Sequence, residues 1–232
     1  MAKKGLTLLD TSESSDRLDI RAYEEIKSRI IRNDLKAGER LTEAWLAEEL
    51  GLSKAPIRTA LTRLCHENLM QSERRVGYQV RGFSIVDVRE VFLLRELIEP
   101  EVARLAAGRL SDAEIDELKS LCELDYQPTD SISQADFLSV NRAFHVRLAE
   151  CTRNSRLISL TARLLEESER FLHFALSSRP LGTRFQQEHL ELLSVLIMGD
   201  AEKAGRMVKE QVHGGMEAII TAMLLPEKDQ NQ

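Results

Sequence analysis

Thr42-Glu43-Ala44-Trp45-Leu46-Ala47-Glu48-Glu49-Leu50-Gly51-Leu52-Ser53-Lys54-Ala55-Pro56-Ile57-Arg58-Thr59-Ala60-Leu61-Thr62-Arg63-Leu64 is the stretch whose reading decides the fold. Thr42 is suited to cap a short helix, and Gly51 to stop it after Leu50. Ser53 is placed to cap a second helix, which tolerates Pro56 because its first turn offers no intrahelical partner for the missing N–H. Ile57, Ala60, Leu61 and Leu64 recur at i, i+3, i+4 and i+7 and form a buried stripe. Lys54, Arg58, Thr59 and Thr62 lie opposite, with Arg63 toward the flank. Two short helices joined through Gly51-Leu52, the second polar and basic in its N-terminal half, meet the requirement for a recognition helix in the major groove of duplex DNA.

The flanks extend the same reading. After Asn68, a plausible left-handed cap, residues 69–73 and 78–81 read as two short strands around Arg74-Arg75-Val76-Gly77. That hairpin is a wing whose arginines and glycine suit close approach to phosphates or a minor groove. Upstream, Ile20, Tyr23, Ile26 and Ile30 mark a helix over 16–33, followed by a connector, 35–41, that turns at Gly38. Residues 1–15 are polar and read as a flexible tail. Residues 16–82 therefore form a winged helix-turn-helix of three helices and a two-stranded wing.

Bulk charge at first opposes this, because the chain carries 32 Lys+Arg against 38 Asp+Glu, a formal charge of -6. The charge is segregated, however: residues 1–83 hold 15 basic and 13 acidic side chains, and residues 84–232 hold 17 and 25. Within 54–81 the count is 6 against 2, so positive charge gathers where a DNA contact needs it. Three scattered cysteines, Cys65, Cys122 and Cys151, suggest neither a disulfide framework nor a thiolate metal knot. No signal-peptide core or membrane-length apolar run is present, so a cytoplasmic protein with no membrane association is expected.

After residue 84 no strand pattern appears. Helices are predicted over 85–108, with a kink at Pro100, and over 112–125, opened by a Ser111-to-Glu114 capping box. A loop around Pro128 follows, then helices over 133–151, 155–177, 183–198 and 200–225. This is an all-α antiparallel bundle of about six helices, 83–225, ending in a flexible tail, 226–232.

The bundle carries His145, His173, His189 and His213. His189 and His213 sit ~15 and ~21 Å along their helices from the Gly199 turn, so in an antiparallel hairpin they can face each other. Asn141 shares a helix face with His145 at i-4, a spacing at which two side chains grip one ion. Ordinary polar bundle positions account for the same spacing, and His173, among Phe171, Leu172 and Phe174, reads as a packing or surface residue. Arg95 either pairs with Glu96 or Glu99 or projects inward to clamp a ligand carboxylate.

The sequence resembles the GntR transcriptional regulators, in the FadR-like subgroup with an all-helical effector-binding FCD domain. The resemblance rests on Gly38-Glu39-Arg40-Leu41, Leu46-Ala47 with Leu50-Gly51, Ser53 through Leu61, and Gly77-Tyr78-Gln79-Val80. In the second domain it rests on Arg95 with Glu99, Asn141 through His145, Glu188-His189, and Gly199-Asp200 followed by His213. It covers about residues 17–225. It implies DNA contacts at Ser53, Lys54 and Arg58, with Gly77 at the wing tip. It also implies a divalent metal, zinc first with nickel, manganese or iron as alternatives, on His145, His189 and His213, and an acidic effector on Arg95. Two departures stand out. Lys54 replaces the usual Arg and cannot read guanine bidentately; Asn141 replaces the usual Asp ligand with a neutral donor.

The expectation is a homodimeric regulator, a repressor by preference, that binds operator DNA through Ser53, Lys54, Arg58, Thr59, Arg63, Arg74, Arg75 and Gly77. A small carboxylate at Arg95, with a metal on Asn141, His145, His189 and His213, would control it. A three-histidine metalloenzyme and a regulator whose bundle is only a dimerisation scaffold are the alternatives; the first lacks an evident general base.

Overall fold

The computed structural model describes residues 9–73, 76–123, 131–178 and 182–225. The chain divides into two compact units, Met1–Gly82 and Phe83–Gln232. In the first, α1 (Leu9–Ile31), α2 (Glu43–Leu50) and α3 (Lys54–His66) are joined by a small sheet. Tyr23, Ile26 and Ile30 of α1 meet Leu46 of α2 and Ile57, Leu61 and Leu64 of α3 in one core that Met70 and Val80 close from the sheet. The stripe read from the sequence is this core. α1 starts ahead of Asp16, inside the stretch read as a tail, and Arg74 and Arg75 lie outside the described residues, as do residues 1–8.

The caps follow the sequence in part. Thr42 accepts a hydrogen bond from the Trp45 N–H, and Gly51 ends α2 in the left-handed region at φ 62°. Ser53 precedes α3 but makes no side-chain cap bond, contrary to expectation, so its hydroxyl remains available. Asn68 follows α3 with φ 58°.

The sheet has one strand more than the wing that was expected. β1 (Arg40–Leu41), β2 (Met70–Glu73) and β3 (Gly77–Val80) form an antiparallel sheet in the order β1-β3-β2. The connector read over 35–41 thus ends as a strand, with Arg40 opposite Gln79 and Leu41 opposite Tyr78. Gly38, at φ 83°, turns the chain so that its N–H reaches the Val80 carbonyl. β1 also explains Gly77: at φ 125°, a Cβ there would lie 2.5 Å from the Leu41 carbonyl oxygen.

The second unit is built on α4 (Ile85–Ala106), α5 (Asp112–Cys122), α6 (Ser131–Cys151), α7 (Ser155–Ser178), α8 (Gly182–Met198) and α9 (Ala201–Leu224). Among the described residues no strand follows Val80. The loop read around Pro128 and the tail 226–232 lie outside the described residues. α4 packs against α6, α7 and most extensively α9. Small side chains on α9, Ala204, Gly205 and Gly215, are buried there, and Phe92 of α4 fills the space over Gly215. α4 continues through Pro100 as one helix.

Capping boxes open the first two helices. Ser84 and Asp87 bond reciprocally at α4, and Ser111 and Glu114 do so at α5. The backbone N–H and hydroxyl of Ser111 both donate to Glu114, and Arg153 Nη1 lies 2.7 Å from its other oxygen. These contacts, the Ser111 backbone bond first, lower the Glu114 carboxyl to about 2.

Two outcomes follow from this architecture. Gly77→Ala destabilises the first unit by about 1–3 kcal/mol, read in urea unfolding, because the β1 backbone must retreat from a strained side chain. Glu114 is more acidic in the folded chain, so its contribution is present above the unfolded carboxylate pKa and lost as pH falls toward 2. Glu114→Gln therefore unfolds more easily at pH 7 and shows a flatter acid dependence between about pH 4.5 and 2.

Candidate functional sites

The exposed face of α3 displays the basic side chains picked out in the sequence. Ser53, Lys54, Arg58, Thr59 and Arg63 are all exposed, while Ile57, Ala60 and Leu61 hold the opposite face in the core. They differ in how they are held. Thr59 Oγ1 donates back to the Ala55 carbonyl. Arg63 stacks over the Tyr23 ring at 3.5 Å and donates to Glu67, so it is tied to the α1–α3 junction. Arg58 donates from Nε and Nη2 to the two oxygens of Glu43, at 2.9 and 2.8 Å. That pairing holds the Glu43 carboxyl below its usual range. Glu43 carries no signal in the sequence because it is fifteen residues from its partner, and only the turn between α2 and α3 brings them together. Gly77 lies at the start of β3, paired with Glu73.

The second unit buries a polar cluster drawn from five helices. Arg95 and Glu99, one turn apart on α4, form an ion pair with Nε–Oε1 at 2.6 Å, at side-chain exposures of only 5% and 2%. Arg95 Nη1 donates to Ser168 of α7 at 3.0 Å, and Glu99 Oε2 lies 3.4 Å from Nδ1 of His145 on α6. His145 Nε2 in turn lies 3.3 Å from Nε2 of His189 on α8. Phe144 stacks on the His189 ring, with centroids 4.2 Å apart. Burial, then the neighbouring Arg95 charge, pushes His145 down to about 3; burial and then His145 lower His189. Both imidazoles are neutral at pH 7. With Nδ1–H of His145 facing Glu99, its Nε2 is the lone-pair side.

Of these groups Arg95, His145 and His189, together with Asn141, line a cavity of about 20 Å³. That space holds one ion or one water, and an organic acid needs it to open. α9 contributes Gln211, whose Nε2 donates to the Glu188 carbonyl while its buried Oε1 has no hydrogen-bond partner.

His213 does not join this group. Its ring is 52% exposed, with Nδ1 2.9 Å from Glu96 and Nε2 3.5 Å from Glu217. Spacing from the Gly199 turn fixed its height but not its face. Two residues separate it from Gln211, about 200° around a helix, and Gln211 is the one that faces inward. His173 is buried, 4.0 Å from Glu169.

The residues fit a metal ion only in altered form. Among the described residues no three His, Cys, Asp or Glu side chains converge on one point. The inward donors are two imidazoles and two carboxamides. Yet an Nε2 separation of 3.3 Å suits two bonds of about 2.0–2.1 Å meeting at a tetrahedral angle, and the unpartnered Gln211 Oε1 offers a third donor. Every one of these donors is neutral, and Glu99 stands behind His145 as its orienting carboxylate.

Comparison with known proteins agrees with the two-unit division. Residues 19–80 match the family described as bacterial regulatory proteins, gntR family, and residues 90–214 match the FCD domain. The Nta operon transcriptional regulator of Aminobacter aminovorans is 28% identical over 186 residues, covering 80% of this chain and 86% of that protein. The probable D-xylose utilization operon transcriptional repressor of Paenarthrobacter nicotinovorans is 25% identical over 207 residues, covering 85% and 91%. Among solved structures, E. coli McbR/YncC shares the fold with a TM-score of 0.72 at 21% identity, covering 89% of this chain and 98% of that one.

The buried ion pair sets its own test. Arg95→Met strands the Glu99 charge and costs roughly 3–5 kcal/mol in urea unfolding, whereas Arg95→Met with Glu99→Gln recovers most of that loss.

Proposed function

We propose that this chain, which belongs to the GntR family of bacterial regulatory proteins and is a DNA-binding transcriptional regulator with an FCD domain, is controlled by a small carboxylate received at the Arg95 cluster. The observation that carries the reading is the buried relay Ser168–Arg95–Glu99–His145–His189 beside a cavity lined by Asn141 and Gln211. Arg95 is the one buried guanidinium in that lining, and its planar fork is complementary to a carboxylate. Glu99 accepts from Nε and Nη2 of that fork. An incoming acid competes with Glu99 for it, so binding shifts α4, which directly follows the DNA-binding unit in the chain. Such control works only through different affinity for two arrangements of the protein.

A divalent metal, zinc first, would be held by His145, His189, Asn141 and Gln211, and would supply a positive centre for the acid. Because those donors are neutral, its retention depends on the acid's charge.

Repression is the preferred sign of regulation, since relatives carry that description. The named relatives are transcriptional regulators, which favours controlled DNA binding over turnover of a metal-bound substrate. A second copy of the chain supplies the other half of the reader. Val86, Leu93, Leu94 and Leu97 expose an apolar stripe on α4 that an equivalent stripe covers. Among the described residues no helix is long and apolar enough to cross a membrane; the cytoplasmic location belongs to the reading as a DNA-binding regulator.

Arg58→Ala weakens binding to an operator duplex by roughly 5- to 150-fold in a mobility shift, the range for losing one base-reading arginine. An unchanged shift removes Arg58 from the interface. Metal analysis after gentle purification tests the cluster: His189→Ala loses bound metal and His213→Ala keeps the wild-type content. Wild-type protein that binds no zinc, with or without added dicarboxylate, points instead to a metal-free site or a plain scaffold.

A further inference from the structure

Glu43 is an acid on the face that meets DNA. It is the first residue of α2, and its carboxylate bonds Arg58 of α3 and contacts Tyr78 of β3. Electrostatics alone makes such a residue costly, since it repels phosphate and cancels a neighbouring cation. Geometry gives it a use. Arg58 projects with 65% of its side chain exposed, on a stem whose rotamer freedom must be lost before the guanidinium can read a base. The two bonds to Glu43 take the Nε and Nη2 edge. The terminal Nη1–Nη2 edge is left facing outward, and it retains enough N–H groups to address guanine O6 and N7 together.

We infer that Glu43 is a positioning residue for DNA reading: it buttresses Arg58 so that the guanidinium addresses a guanine end-on, trading general affinity for sequence discrimination. The inference rests on the reading that Arg58 contacts a base. Lys54, which replaces a fork with a point charge, leaves Arg58 as the one guanidinium on the N-terminal half of α3. Arg63, held by Tyr23 and Glu67, is not on that half.

The buttress makes opposite predictions for specific and general binding. Removing a carboxylate near phosphate strengthens or preserves attraction to any duplex. Removing the support of a base-reading side chain weakens only the specific complex, by roughly 2- to 12-fold if the ordering of one long side chain is lost.

The test uses the full chain, a duplex selected by the wild-type protein from a random pool, its single-base-pair variants, and a random duplex. Arg58→Ala should flatten discrimination at one G·C pair. Glu43→Ala should weaken the selected duplex and reduce discrimination at that same pair while binding the random duplex at least as tightly as wild type. The double variant should bind no more weakly than Arg58→Ala alone. Glu43→Gln, which keeps the helix position and part of the bonding, should fall between Glu43→Ala and wild type. Thermal unfolding separates these effects from misfolding, which lowers binding to both duplexes. Glu43→Ala or Glu43→Gln that tightens the selected duplex, or leaves its base discrimination intact while Arg58→Ala abolishes it, overturns the buttress. An Arg58→Ala protein that reads the selected duplex normally overturns the base-reading assignment itself.

Discussion

A buried charge pair organises the second unit. Arg95 and Glu99 are removed from water almost completely, and the cost of that desolvation requires every remaining donor and acceptor to be met. The neighbouring helices meet it in turn: α7 supplies Ser168, α6 supplies His145, and His145 is answered by His189 of α8. α9 closes the space with Gly215, over which Phe92 of α4 packs, and with Gln211 at the cavity wall. The polar centre of the bundle is therefore arranged around one turn of α4, and a ligand that altered this pair would disturb contacts with α7 and α6 directly and, through His145, with α8. A polar network of this kind is a poor source of stability and a good candidate for a switch.

The first unit follows a different logic. Its core is apolar, its sheet is short, and its basic groups lie on the outside of α3. There the acidic groups decide which cations remain free: Glu67 and Tyr23 restrain Arg63, and Glu43 restrains Arg58. A face with modest net charge and held arginines favours base discrimination over indiscriminate attraction to phosphate.

What the sequence revealed and what it hid divide along physical lines. Helix periodicity, the Thr42 cap, the Gly51 stop and the Ser111–Glu114 capping box are local, and each is present. β1 was hidden because two residues carry no period, and its existence depends on β3 lying alongside. Ser53 had the right residue type for a cap, but capping also needs an orientation that type does not specify. The histidines show the limit most clearly. Height along a hairpin placed His189 and His213 within about one helical turn of each other, but a rotation of two residues put Gln211 inside and His213 in solvent. Gln211 carried no signal of its own, since glutamine is an ordinary helix-surface residue until its oxygen is found buried and unpartnered. Arg95 paired with Glu99 was one of two readings left open. Which applied depended on burial, and the answer combines them: an inward arginine that is already paired.

The claim that the Arg95 cluster governs DNA binding is tested most directly by fluorescence anisotropy of a labelled, selected duplex bound to the full chain. Small mono- and dicarboxylates are titrated with and without zinc, beside uncharged compounds of similar size. The account requires at least one carboxylate to release the duplex from wild-type protein and to lose that effect in Arg95→Lys, where the bidentate fork is gone but the charge remains. Release that is equal in both proteins, or that uncharged compounds alone produce, contradicts it.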